Sequence, residues 1–128
     1  MNGLVIDTSA WVSYLAGGGN PQLVEPALED DRALLPPVVA AELLSGKMSL
    51  RQRRALMDLL DDVFLIRADR EHWYRVGDLR AALAAHGLTV STPDAHVAQC
   101  ALDLGADLLT EDAIFTRIAG EVPLRLVR

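Results

Sequence analysis

Four carboxylates carry the chemistry this chain can do. Asp7 closes the run Leu4-Val5-Ile6-Asp7-Thr8-Ser9-Ala10-Trp11, where an apolar strand stops abruptly on an acid followed by two hydroxyls. Glu42 lies in Val38-Val39-Ala40-Ala41-Glu42-Leu43-Leu44, a helix apolar nearly all round. Its carboxylate is therefore expected to be at least half-buried and to need a partner. Asp94 sits in Ser91-Thr92-Pro93-Asp94-Ala95, the first turn of a helix whose dipole favours negative charge. Asp112 follows the end of an apolar strand by two residues.

Each acid also has a plainer reading. Asp94 can cap its helix, Asp7 can bond the amides of Ser9 and Ala10, Asp112 can start the helix before Ile114, and Glu42 can pair with an arginine. Gathered in one cleft, however, the four would repel one another, and some would have to take up protons unless a divalent cation resolved the conflict. An all-oxygen donor set suits Mg²⁺ or Mn²⁺. Such an ion can bind a phosphodiester oxygen, offset transition-state charge and acidify a water that attacks in line. His72, His86, His96 and Cys100 show no zinc-site spacing. His96, two residues beyond Asp94 and on a different side of that helix, is expected to face solvent.

The elements that must position these acids follow from the hydrophobic pattern. Strand Gly3–Asp7 leads into a helix over about residues 9–16, which Gly17-Gly18-Gly19-Asn20-Pro21 breaks before a second helix runs to about Asp31. Ala33–Leu35 reads as a strand, Pro36-Pro37 opens a helix to about Ser45, and Ser49 caps another that ends near Leu60. Val63–Ile66 is the third strand. A long helix spans about Asp69 to His86 with Trp73, Val76, Leu79 and Leu83 on its apolar stripe, and Gly87 ends it. Thr92–Leu104 is helical, Asp107–Thr110 is the fourth strand, Ala113–Ala119 a short helix and Leu124–Val127 the last strand.

Strands alternating with helices, each strand a short apolar run, indicate a parallel α/β sheet covered on both faces. If the first three strands wind to one side and the last two to the other, the reversal falls between strands one and four. The crevice beyond their carboxyl ends is where such sheets bind ligands, and Asp7 and Asp112 meet there. Glu42, on the helix after strand two, and Asp94, on the helix before strand four, can reach the same edge.

The 128 residues, 51% hydrophobic, suffice for one core, and residues 1–128 are expected to form a single domain. A formal charge of −6 argues against a surface that clings to nucleic acid throughout, so any polyanion must be handled locally or through a cation. Neither a membrane span nor a secretory leader is evident, which points to a cytoplasmic protein without a membrane partner. Cys100, the lone cysteine, reads as a small buried side chain in a reducing compartment.

The segments "VIDTSAW", "VVAAELLSG" and "TPDAHVAQCALDLGADLLTED", followed by Phe115, together resemble a PIN-domain ribonuclease, and more narrowly the VapC-type toxins of bacterial toxin–antitoxin pairs. The resemblance spans essentially the whole chain. It implies a three-layer α/β/α PIN-like fold with a central parallel five-stranded sheet, and Mg²⁺- or Mn²⁺-dependent cleavage of RNA. It further implies a cognate VapB-type antitoxin, a homodimer and a toxin–antitoxin hetero-oligomer. By position, Asp7, Glu42, Asp94 and Asp112 match the acidic quartet. Asp7 and Asp94 are then direct metal ligands, Asp112 a third or water-mediated ligand, and Glu42 a partner of metal-held water or a general base. Thr8, Ser9 and Thr110 match hydroxyl positions that orient those carboxylates. Glu111 departs from the basic or neutral residue expected between threonine and aspartate, adding negative charge near the cleft.

Lys47, Arg51, Arg53 and Arg54 form the densest basic cluster, either a contact for RNA backbone or an acidic partner, or a solvated face paired with Asp58, Asp61 and Asp62. Trp11 and Leu15, one turn apart, either line a partner groove or join the core. A haloacid-dehalogenase-type phosphatase would want an aspartate where Ser9 stands, and a receiver domain would want a lysine near the last strands, whereas Lys47 is alone and misplaced. The alternative of a different class is a PIN-like module that binds RNA or protein with little catalysis.

Overall fold

The computed structural model describes residues 2–128. In chain order the elements are β1 (Leu4–Ile6), α1 (Thr8–Leu15), α2 (Pro21–Glu29), β2 (Ala33–Leu35), α3 (Pro37–Leu44) and α4 (Leu50–Asp61). They continue with β3 (Phe64–Leu65), α5 (Arg70–Ala85), α6 (Thr92–Leu104), β4 (Asp107–Leu109), α7 (Ile114–Ala119) and β5 (Arg125–Val127). The five strands form one parallel sheet in the order β3-β2-β1-β4-β5, flanked by helices, so the first three strands do wind to one side and the order reverses between β1 and β4. Among the described residues, no helix is long and apolar enough to cross a membrane.

Local signals set the helix boundaries. Ser49 and Gln52 form a reciprocal capping box at the start of α4. The Asp69 carboxylate accepts the His72 amide at the start of α5, and the Ser91 hydroxyl accepts the Asp94 amide at the start of α6. α6 ends at Gly105, whose left-handed backbone (φ 58°) suits a residue without a Cβ. Leu4, Val5 and Ile6 of the central strand are buried, as are Trp11, Leu108, Leu109, Phe115 and Ile118 around them. Each such side chain contributes roughly 1.5–3 kcal/mol on leaving water. Residues 95–101 of α6 are buried continuously, because this helix packs on β1, α3, α5 and α7 at once.

Three expectations change. β3 is a sheet edge, and Phe64 and Leu65 stand 60% and 56% exposed rather than covered on both faces. The core stripe of α5 is His72, Val76, Leu79 and Leu83; Trp73 lies one position off it and is 41% exposed. His96 does not face solvent: it is fully buried beneath α5, with the Trp73 ring stacked on it at 4.5 Å.

Candidate active site

The site is built where β1 and β4 end. The Asp7 amide donates to the Leu109 carbonyl at 2.9 Å, continuing the β1–β4 ladder one residue past the strand. Asp7 then starts α1 from the N-cap position, yet its side chain does not cap the helix or bond the amides of Ser9 and Ala10. It turns instead to hydroxyls. Thr110 Oγ1 donates to Asp7 Oδ2 at 2.9 Å and Ser9 Oγ to the same oxygen at 3.1 Å.

The two hydroxyls are also the joints of the surrounding loops. Thr110 Oγ1 accepts the Asp112 amide at 3.0 Å, and Ser9 Oγ accepts the Glu111 amide at 2.9 Å. One hydroxyl pair thus locks the strand-end segment 110–112 to the carboxylate at the end of β1. Thr8, the neighbouring residue, donates to Glu42 Oε1 at 2.7 Å and ties α3 to the same corner. All three expected hydroxyls therefore hold a carboxylate or its backbone.

Glu42 is exposed, not half-buried, because its face of α3 overlooks the cleft while Val39 and Leu43 take the core; its partner is Thr8 and not an arginine. Asp94 is partly buried, and the cap of its helix is Ser91, so the carboxylate is free of capping duty. Asp112 does help start α7: its Oδ1 accepts the Ile114 amide at 3.1 Å. Ser13 escaped notice in the sequence; it donates to Glu111 Oε1 at 2.6 Å, and its position one turn beyond Ser9 on α1 was the available signal.

The four acids influence one another electrostatically. Burial pushes the Asp7 carboxyl above its ordinary range, hydrogen bonds from Thr110, the Thr8 backbone and Ser9 oppose this, and Glu42 pushes it further up. The Asp94 carboxyl is also raised, first by burial and then, against a hydrogen bond with Ser91, by the charges of Asp112, Asp7 and Glu42. The donor set is all oxygen and carries an excess of negative charge, which fits a hard divalent cation such as Mg²⁺ or Mn²⁺. Beside Asp112 a cavity of about 350 Å³ opens, lined by Asn20, Thr110, Glu111, Leu126 and Arg128. A larger cavity of about 500 Å³ between α2, α4 and the β2–β3 edge contains none of the four acids.

Arg51, Arg53 and Arg54 are exposed on α4. Arg53 donates to the Leu44 carbonyl at 3.0 Å, serving the C-terminus of α3, and among the described residues no ion pair joins the cluster to Asp58, Asp61 or Asp62. Trp11 is wholly in the core, whereas Leu15 is 46% exposed.

A parallel α/β sheet with convergent acids at its topological switch point defines a class of carboxylate-centred sites. The PIN domain model matches residues 4–121. Over 122 residues, 91% of each chain, the sequence is 31% identical to Ribonuclease VapC11 from Mycobacterium tuberculosis and equally to VapC ribonuclease Mb1587 from Mycobacterium bovis. Among solved structures it is similar to DNA-bound VapBC from Salmonella typhimurium (TM-score 0.80, 22% identity, 99% of this chain and 98% of that one). It is also similar to VapBC-5 from Mycobacterium tuberculosis, of the VapBC family of toxin–antitoxin systems (TM-score 0.70, 21% identity, 100% and 99% covered). The chain belongs to the PIN-domain family, and within it to the VapC ribonucleases.

Proposed function

We propose that this chain is a Mg²⁺- or Mn²⁺-dependent endoribonuclease and the toxin of a toxin–antitoxin pair. The observation that supports the reading is the hydrogen-bonded corner in which Thr110 links the Asp7 carboxylate to the Asp112 backbone and Thr8 holds Glu42, with the Asp94 carboxyl raised in part by the charges of Asp112, Asp7 and Glu42, a concentration of like charge that a bound cation would relieve. Asp7, Asp94 and Asp112 would hold the ion, which when bound supplies Lewis-acid stabilisation of a phosphodiester and of the charge that develops on it. Glu42, held by Thr8 and open to solvent, is placed to accept a proton from an attacking water. Thr110 and Ser9 keep the Asp7 carboxylate in one orientation, so no reorganisation is needed as the reaction proceeds. The catalytic assignments rest on this geometry and on the order of the acids along the chain.

The partners follow from the family: an RNA substrate, a VapB-type antitoxin, a homodimer and a toxin–antitoxin hetero-oligomer, in the cytoplasm. Exposed Val12 and Leu15 on α1 are apolar surface suited to a partner chain. Arg51 and Arg54, unpaired among the described residues, are available to RNA backbone. The test is cleavage of RNA by the purified, antitoxin-free chain with Mg²⁺ or Mn²⁺, beside an EDTA control and Asp94→Asn. Cleavage that needs both the ion and Asp94 supports the reading. A folded protein that binds RNA, yet cleaves neither cellular RNA nor a randomised oligonucleotide pool with either ion, would favour the binding module instead.

A further inference from the structure

The chemistry-bearing side chains outside the acidic cleft collect between α5 and α6. His72, His96 and Cys100 are 2%, 0% and 0% exposed, and their ligand atoms all lie within 4.8 Å of one another. His96 and Cys100 are one turn apart on α6, at the i, i+4 spacing that puts two ligands on one face, and His72 comes from α5 across the helix pair. His72 Nε2 lies 2.7 Å from His96 Nδ1, while Cys100 Sγ lies 3.9 Å from that Nδ1 and 3.8 Å from Nε2.

The outer layer has the form of a metal site. His72 Nδ1 bonds Asp103 Oδ2 at 2.8 Å, and Asp103 is clamped by both arms of Arg75 at 2.8 and 2.9 Å and by the Gln99 amide at 2.8 Å. An acceptor-only carboxylate on Nδ1 makes that nitrogen the donor. With both rings neutral, His72 Nε2 then presents its lone pair inward. Trp73 stacks on His96 (4.5 Å, 12° between planes) and closes the outer side.

We propose that His72, His96 and Cys100 form a buried binding site for a single monovalent copper ion. Two arguments select Cu⁺ over Zn²⁺. Among the described residues, two imidazoles and one sulfur meet here, and the Asp103 carboxylate lies on the far side of the His72 ring, so these residues supply no fourth protein donor of the kind structural zinc sites use. Cu⁺ with one thiolate is also neutral, whereas Zn²⁺ would leave a net positive charge among fully buried groups, with Asp103 already engaged by Arg75.

On binding, the Cys100 S–H bond breaks, a sulfur–copper bond forms and one proton goes to solvent. The His96 proton moves from Nδ1 to Nε2, freeing Nδ1 as a ligand. The two ring nitrogens must part from 2.7 Å to about 3.5 Å, the spacing that trigonal coordination needs at metal–nitrogen distances of about 2.0 Å. No electron transfer is involved, because the ion enters as Cu⁺.

The experiment uses the purified full chain without oxygen, with excess Mg²⁺ to occupy the acidic cleft and a coloured Cu⁺ chelator as competitor. The expected result is withdrawal of one copper per chain, release of one proton, and a shift of the ring ¹⁵N resonances of two histidines while exposed His86 stays fixed. His96→Asn and Cys100→Ser should each weaken binding by more than about a hundredfold. If the chelator retains the copper, the proposal is overturned. It is likewise overturned if copper binds without moving the two histidine resonances, which would mean an adventitious ion on the thiol only, or if Zn²⁺ but not Cu⁺ is taken up. The ring resonances of the unaltered chain keep the test decisive even where a variant fails to fold.

Discussion

Asp94→Asn should make the metal-free protein more stable while removing its response to metal. Asp94 lies under the influence of three like charges, Asp112, Asp7 and Glu42, and its carboxyl is raised above its ordinary range. Across a cleft open to water each such pair is worth some tenths of a kcal/mol to about 1 kcal/mol, so neutralising Asp94 relieves about 1–2 kcal/mol. Against that, a charged residue in the first turn of α6 gains about 0.3–1 kcal/mol from the helix dipole, which asparagine gives up. The net gain is about 1 kcal/mol, or roughly 3–4 °C in Tm for a domain of this size. The assay is thermal unfolding in EDTA and in saturating Mn²⁺. The unaltered chain should gain about 2–3 kcal/mol at an ion concentration a hundredfold above its Kd, and Asp94→Asn less than half of that. A variant no more stable than the parent in EDTA, or one that gains as much from Mn²⁺, would refute the picture of crowded charge.

The pH dependence of stability carries two opposite signs. His96 is held at about 4 in the fold against about 6.5 unfolded, so the unfolded chain binds the extra proton and stability falls as pH drops from about 6.5 to about 4, by on the order of 3 kcal/mol. Asp7 and Asp94 are raised, so their contribution rises as pH falls toward the ordinary carboxylate range. Urea denaturation across this range, with His96→Asn as reference, separates the two, and equal slopes for variant and parent would remove the histidine from the account. Thr110→Val takes away a donor to Asp7 and the acceptor of the Asp112 amide, and should lower RNA cleavage by about ten- to a hundredfold with the fold intact by circular dichroism. Ser49→Ala breaks the capping box and should cost about 1 kcal/mol in denaturant titration, with a capping loss near zero refuting the role of the box.

The linear order of residues determined the frame. Apolar runs ending in Asp7 and before Thr110, the helix cap at Ser49, and the strand–helix alternation each depend on neighbours within a few residues, so they are legible without the fold. The handedness of crossovers then leaves few topologies, and the β1–β4 switch point, with Asp7 and the segment before Asp112 at its carboxyl edge, is one of them. Tertiary packing decided what depends on which face of a helix is covered. The apolar composition around Glu42 suggested burial, yet two core positions, Val39 and Leu43, were enough to seat α3 and left the acid on the open side. His96 carried no local sign of burial, because the aromatic residues packed on it, His72 and Trp73, come from a helix some twenty positions earlier. A spacing rule sees ligands that lie along one element; only the docking of α5 on α6 could put two imidazoles and a thiol in one place.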